Sequence, residues 1–279
     1  MTIKKRKFPI VITVLVCIST IGLSADTIEP IREATEIKPP FRLKTIVLDS
    51  GHGGRDPGKV SPWGANEKDI NLAIALKLAA LIREKIQYEV YLTRSTDRWI
   101  SLAGRARFAN QFTADQTLFI SIRCNSHTNT HVHGLESYIF NLQATDKLAA
   151  KLVQWENAAE IVNPVDFIVN NLYQRGSEKY SWEATRIVQS VLMSHLKTRD
   201  RNRNAPDKLV RRAPFRVLVD TKMPALLVEL GYLSNRVEHK KLSSLAHQER
   251  IADALLTSIQ QFDKVTQESA KDSKTARLP

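Results

Sequence analysis

The residues best able to do chemistry stand at the ends of apolar runs. In Ala225-Leu226-Leu227-Val228-Glu229-Leu230-Gly231-Tyr232 a carboxylate interrupts a stretch that otherwise reads as a buried strand. An ionised carboxylate in an apolar interior is costly unless it is paired. Glu229 therefore reads either as the partner of an arginine or as a general base whose pKa is raised by desolvation. His52 lies in Asp49-Ser50-Gly51-His52-Gly53-Gly54, a glycine-rich turn that lets backbone approach a ligand closely. Glu67 opens the next helical segment. Alone it would complement a helix dipole, but beside His52 it reads as a metal ligand. A fourth stretch, Ser121-Ile122-Arg123-Cys124-Asn125, closes another apolar run, with His127, His131 and His133 just beyond it.

These residues need a scaffold that gathers strand ends, because open α/β sheets bind ligands outside the carboxyl ends of their strands. The pattern supplies one. Thr45 to Asp49 reads as a strand, and Ile70, Ile74, Leu78 and Leu81 recur at helical spacing. Glu89 to Thr93 is a second strand, Ser101 caps a helix through Asn110, and Thr117 to Ile122 is a third strand. Leu135 to Phe140 follows as a strand, then a polar, helix-prone insertion at about 145–180 with no evident sheet role. A helix from Trp182 to Lys197, strands at Phe215 to Val219 and Ala225 to Leu230, and a helix bearing Ile251, Leu255, Ile259 and Phe262 complete the order. The fold class expected is α/β: a single domain, a mostly parallel sheet flanked by helices, with a helical insertion after the third to fourth strand. Its bounds are 44–263, with a linker at 26–43 before it and a disordered tail at 264–279 after it.

The first 25 residues place Lys4, Lys5, Arg6 and Lys7 before an apolar run, then Gly22, Ser24 and Ala25, which is the layout of a secretory signal peptide. Export to the periplasm or medium is expected, with membrane attachment only through an uncleaved leader. Cleavage leaves about 254 residues, enough for one α/β domain with a full core. The chain carries +12, and the leader's basic residues account for four of these charges. An anionic polymer is a suitable partner for such a body. The basic residues Lys197, Arg199, Arg201, Arg203, Lys208, Arg211 and Arg212 cluster without interleaved aromatics, so they read as a solvated loop and no nucleic acid is expected. Of the two cysteines only Cys124 lies outside the leader, so packing rather than an intramolecular disulfide must hold the domain. Ser194-His195-Leu196-Lys197 matches a Ser-x-x-Lys nucleophile pattern without its companion motifs and reads as surface helix.

Leu48 to Lys59, Asn66 to Leu72, Leu92-Thr93-Arg94, Ser101-Leu102 with Arg105, Trp155-Glu156-Asn157-Ala158-Ala159 and Pro224 to Asn235 together resemble the third family of zinc-dependent N-acetylmuramoyl-L-alanine amidases. The similarity runs from about Lys44 to Phe262. It implies hydrolysis of the amide between N-acetylmuramic acid and L-alanine in peptidoglycan. It also implies one Zn²⁺ on His52 and Glu67, and Glu229 as the base that activates water and protonates the leaving nitrogen. In some members an inserted helix blocks the metal until a partner pulls it away. By that resemblance the stretch around Glu156 is such a plug, and an activator protein is its partner.

One position departs. The family carries its third ligand, a histidine, where this chain has Arg123. A guanidinium has no lone pair and stays protonated. Pointing inward, its charge about 4 Å from a doubly charged ion costs on the order of 8 kcal/mol in an effective dielectric near 20. Three arrangements follow. His127, or else His131 or His133, folds back to complete the site while Arg123 turns outward; or Arg123 pairs with Glu67 or Glu229 in a metal-free pseudoenzyme that binds or regulates at the wall; or zinc sits weakly on His52, Glu67 and waters. Cys124, though a good soft ligand, faces away from position 123 by strand alternation unless a bulge intervenes.

Overall fold

The computed structural model describes residues 41–86, 88–158, 164–201 and 209–275. The expected leader, most of the linker, Arg203, Lys208 and the last residues of the tail lie outside these. Among the described residues, no helix is long and apolar enough to cross a membrane.

Six strands form one sheet: β1 (Thr45–Ser50), β2 (Glu89–Leu92), β3 (Thr117–Asn125), β4 (Glu136–Phe140), β5 (Val210–Ala213) and β6 (Ala225–Tyr232). Their order is β2-β1-β3-β6-β4-β5. All neighbours run parallel except β4 and β6. The three central strands are buried along their whole length, which is why they read as near-continuous apolar runs rather than alternating ones. Alternation sorts them into two layers. Ile46, Leu48, Ile120, Ile122, Cys124, Leu226 and Val228 join a core with helices α1 (Glu67–Lys85), α4 (Pro164–Leu196) and α7 (Leu245–Thr275). Val47, Phe119, Ala225 and Leu227 join a second core with α2 (Leu102–Ala109), α3 (Lys147–Glu156) and α5 (Arg216–Val219). A short helix, α6 (Arg236–Leu242), follows β6.

The second layer explains where chemistry can sit. Towards the carboxyl ends of the strands the apolar residues give way on that same face to Asp49, Ser121, Arg123 and Glu229, all buried. Registers Asp49↔Ser121 and Arg123↔Glu229 set them side by side, and Glu136 pairs with Glu229 from the other flank. The register shifts between Arg123 and Asn125, which ends the regular ladder at the pocket.

Several expectations are corrected. Phe215 to Val219 is not a strand: Phe215 caps the single turn α5, and Val217, Leu218 and Val219 are all buried, a pattern that periodicity over five residues cannot tell from a strand. The edge strand is instead β5, whose Arg211 is fully buried, with Nη1 2.8 Å from Asp146 and Nη2 3.5 Å from Asp200. Its charge therefore belongs to an internal ion-pair network and not to a solvated loop. The linker ends earlier than Arg42: Phe41 and Leu43 are buried, and the Phe41 ring lies 5.1 Å from Tyr180 and 5.6 Å from Phe262. The helix expected to end near 263 continues to Thr275 with Thr266 and Ala270 buried, so 264–275 is ordered helix held by packing rather than by composition. The insertion contributes α3 and merges with the Trp182 helix into the single α4; Ser194 near its end and Lys197 just past it are exposed, in keeping with the surface helix expected there.

Candidate functional site

The site begins with a strained loop. His52 has φ +61°, a left-handed conformation that non-glycine residues adopt at a cost of about 1–3 kcal/mol. Two buried arginines hold it there. Arg105, set by the Ser101 cap of α2, donates from Nη1 to Asp49 Oδ1 and Ser50 O at 2.7 Å each and from Nη2 to His52 O at 2.7 Å. Arg94, just beyond β2, donates from Nε to Ser50 O at 3.0 Å and from Nη2 to Gly51 O at 3.0 Å. Asp49 accepts further from Thr93 Oγ1 at 2.7 Å and Ser121 Oγ at 2.8 Å. Burial works against its ionisation, yet Arg105 and Arg123 outdo it and hold the carboxyl at about 2. At Gly53 a Cβ would stand 2.2 Å from the Arg98 carbonyl oxygen, so only glycine fits that turn.

Around this loop the side chains converge. Asp56 Oδ2 fixes the His52 ring through Nδ1 at 2.8 Å. Nε2 faces Glu67 Oε2 at 3.2 Å, Glu156 Oε2 at 3.6 Å and Arg123 Nη1 at 3.1 Å. A guanidinium can donate only to a neutral imidazole, whereas carboxylates accept from a protonated one. The carboxylates prevail: burial alone would lower the His52 pKa, but the charge of Glu67 and the hydrogen bonds that Asp56 and Glu67 accept from the ring raise it to about 9. Glu67 is fully buried at the start of α1. Its Oε2 accepts from Lys59 N at 2.9 Å, and its Oε1 from Cys124 N at 3.0 Å and Asn71 Nδ2 at 3.1 Å. Against its burial, His52, Arg123 and the Lys59 amide keep it at about 2.

Arg123 points into the pocket. Its Nη1 is ion-paired with Glu156, and its Nε donates to Ser121 Oγ at 3.4 Å. Its stem lies directly over Gly51, where a Cβ would meet Cδ at 2.6 Å. Burial disfavours its charge, but Glu156, Asp49, Glu67 and Glu229 more than compensate and raise its pKa. Glu156 ends α3, and its Oε1 lies 3.9 Å from Lys59 Nζ, which rests over the Trp155 ring. Glu229 is 1% exposed and its Oε2 has no hydrogen-bond partner among the described residues. Burial, then Glu67 and Glu156, push its pKa well above the usual carboxylate range.

Chain 46–261 matches the family described as N-acetylmuramoyl-L-alanine amidase. It belongs to that family. Escherichia coli amidase AmiC (strain CFT073) is 30% identical over 223 residues, which are 78% of this chain and 52% of that protein. E. coli K12 AmiA is 30% identical over 77% of this chain and 75% of its own length. A crystal structure of an N-acetylmuramoyl-L-alanine amidase from Clostridium difficile 630 superposes with TM-score 0.60 at 28% identity, covering 79% of this chain and 97% of that one. The Clostridioides difficile amidase CwlD, solved in complex with the lipoprotein GerS, gives 0.58 at 27% identity, covering 80% and 99%. The chain spans about half the length of the first curated relatives it matches.

In this amidase domain, His52, Glu67 and Glu156 offer ligand atoms that all lie within 4.8 Å of one another. One imidazole and two carboxylates form a donor set that fits a divalent cation. His127, expected as the substitute ligand, is not in this group. Its backbone N donates to Ser234 Oγ and its Nδ1 accepts from Asn129 N, both at 2.9 Å. It lines a neighbouring cavity of about 340 Å³ with Lys59, Trp155 and Tyr232. The β3–β4 loop satisfies its own turn with the imidazole, so nothing draws His127 inward. His131 and His133 likewise stay with that loop. Glu156, expected only as part of a plug, stands beside His52 and Glu67 in the position of a third donor. Cys124 points into the opposite core, as strand alternation required.

Proposed function

We propose that this domain hydrolyses the amide bond between N-acetylmuramic acid and L-alanine in peptidoglycan, outside the cytosol, with Glu229 as its acid–base residue. The observation that carries the reading is Glu229 itself: a buried carboxylate with a free oxygen at the carboxyl end of a central strand, beside a His52–Glu67 pair in a family of amidases. Desolvation raises its proton affinity, the direction that suits a group that takes a proton from water and delivers it to the departing alanine nitrogen. His52 and Glu67, with Glu156 above them, are the residues that would hold a Zn²⁺ ion. Such an ion supplies Lewis acidity that polarises the scissile carbonyl and acidifies water. Asp56 and the Lys59 and Cys124 backbone amides orient the two ligands, so the pair is set before any substrate arrives. Export through residues 1–25 is part of the proposal, as is a protein partner acting on α3, the helix that brings Glu156 over the pocket. A solved relative in complex with a lipoprotein supports such a partner.

A second reading, a metal-free protein that binds at the wall, is favoured by one feature: Arg123 reaches His52 Nε2 and is paired with Glu156. Digestion of isolated sacculi with added zinc, with and without chelator, separates the two. Amidase action releases stem peptides with a free L-alanine amino terminus. Glu229→Gln, nearly isosteric, should lower that release about 10²- to 10⁴-fold while leaving the fold intact. Sacculi bound but never cleaved by the wild type would leave the second reading.

A further inference from the structure

Resting on the metal-dependent reading above, we propose that the Arg123 guanidinium and a divalent metal ion are alternative occupants of one donor set, so that this chain takes up metal only when Arg123 leaves His52 and Glu156. The three ligand atoms of His52, Glu67 and Glu156 cluster within 4.8 Å. Arg123 Nη1 stands among them, 3.1 Å from His52 Nε2 and ion-paired to Glu156 Oε2. The side chain is built into the fold rather than swung in from solvent. It is 2% exposed, its stem occupies the space a Cβ at Gly51 would need, and its strand neighbour across the sheet is Glu229. It thus acts as a tethered cation that already neutralises the acidic cluster. A metal ion added beside it would meet a fixed positive charge in a desolvated pocket and would find Glu156 engaged. Lys59, 3.9 Å from the other Glu156 oxygen, reinforces that engagement. Entry therefore requires a rotation of Arg123 away from Glu156 and out of the space beside His52 Nε2, and the Arg123–Glu156 pair couples that rotation to α3, the element carrying Glu156.

The test is zinc affinity rather than turnover. Zinc chloride is titrated against a chromogenic chelator into purified wild type, Arg123→His and Arg123→Gln. Wild type should bind at least about a hundredfold more weakly than Arg123→His, which gains a ligand and loses a charge. Arg123→Gln, which only loses the charge, should fall between them. Adding His52→Ala to Arg123→His should abolish the gain, locating the ion. If Arg123→His does not fold, as read by circular dichroism, Arg123→Gln carries the same comparison. Stoichiometric sub-micromolar zinc in the wild type, matched by the variants, overturns the inference and leaves the amidase reading standing. Folded variants that bind no better than wild type also overturn it, because the donors then take no metal even with the cation gone. Sacculus digestion reads the amidase proposal separately.

Discussion

Removing the charge of Asp49 should loosen the domain at the base of its pocket. The carboxylate is fully buried and uses both oxygens as acceptors, from Arg105 Nη1 and Thr93 Oγ1 on one and Ser121 Oγ on the other. In Asp49→Asn one oxygen becomes an NH₂ group facing a donor, and Arg105, 1% exposed, loses its counter-charge. Breaking one side of a buried pair costs about 3–5 kcal/mol. In a domain of this size that corresponds to a melting point lower by roughly 6–20 °C. The pH dependence has a definite sign. The folded-state pKa of Asp49 lies below its ordinary value, about 2 against 3.8, so its stabilisation is fully present above about pH 4 and is lost as pH falls through 2. That fall is worth on the order of 2 kcal/mol by pH 2. Urea unfolding of wild type and variant at pH 7 and along an acid series measures both effects: the gap should be widest at neutral pH and shrink by about that amount towards pH 2. Equal midpoints at pH 7, or a gap constant down to pH 2, would refute the reasoning.

Phe41→Ala should cost about 3–5 kcal/mol, since the ring fills the space between Tyr180 and Phe262, and a loss under 1 kcal/mol in urea titration would return residue 41 to the linker. Cys124, 1% exposed and with its thiol pushed well above its usual pKa by burial, should resist alkylation in the native protein and react on unfolding. Peptide mapping after timed iodoacetamide treatment reads this, and fast native labelling would contradict the packing.

The central scaffold was legible because its strands are buried on both faces and announce themselves as unbroken apolar runs ending in Asp49, Asn125 and Glu229. What the sequence hid lay at the edges. Strand β5 is written Val210-Arg211-Arg212-Ala213, and only Asp146, Asp200 and Glu136, distant in sequence, turn Arg211 into an interior residue. The apolar turn after it carries more hydrophobicity than the strand and drew the assignment. At the site, His52 and Glu67 could be paired from the chain because one follows β1 and the other opens α1. Glu156 sits at the end of an inserted helix whose docking no local pattern encodes, so its approach to Arg123 became visible only in three dimensions. The outward turn expected of Arg123 beside a folded-back histidine does not occur: Arg123 runs inward and pairs with Glu156 rather than Glu67 or Glu229, while the loop holding His127 depends on Ser234 and Asn129.

The framework of the His52 loop is secured by carbonyl contacts to Arg94 and Arg105, which would remain in place whether guanidinium, ion or water filled the space above. On the proposed reading, exchanging the occupant leaves that loop unchanged and moves only Arg123 and the α3 end that carries Glu156. If the proposed metal site holds, one codon at position 123 then decides whether it opens, without any change to the architecture around it.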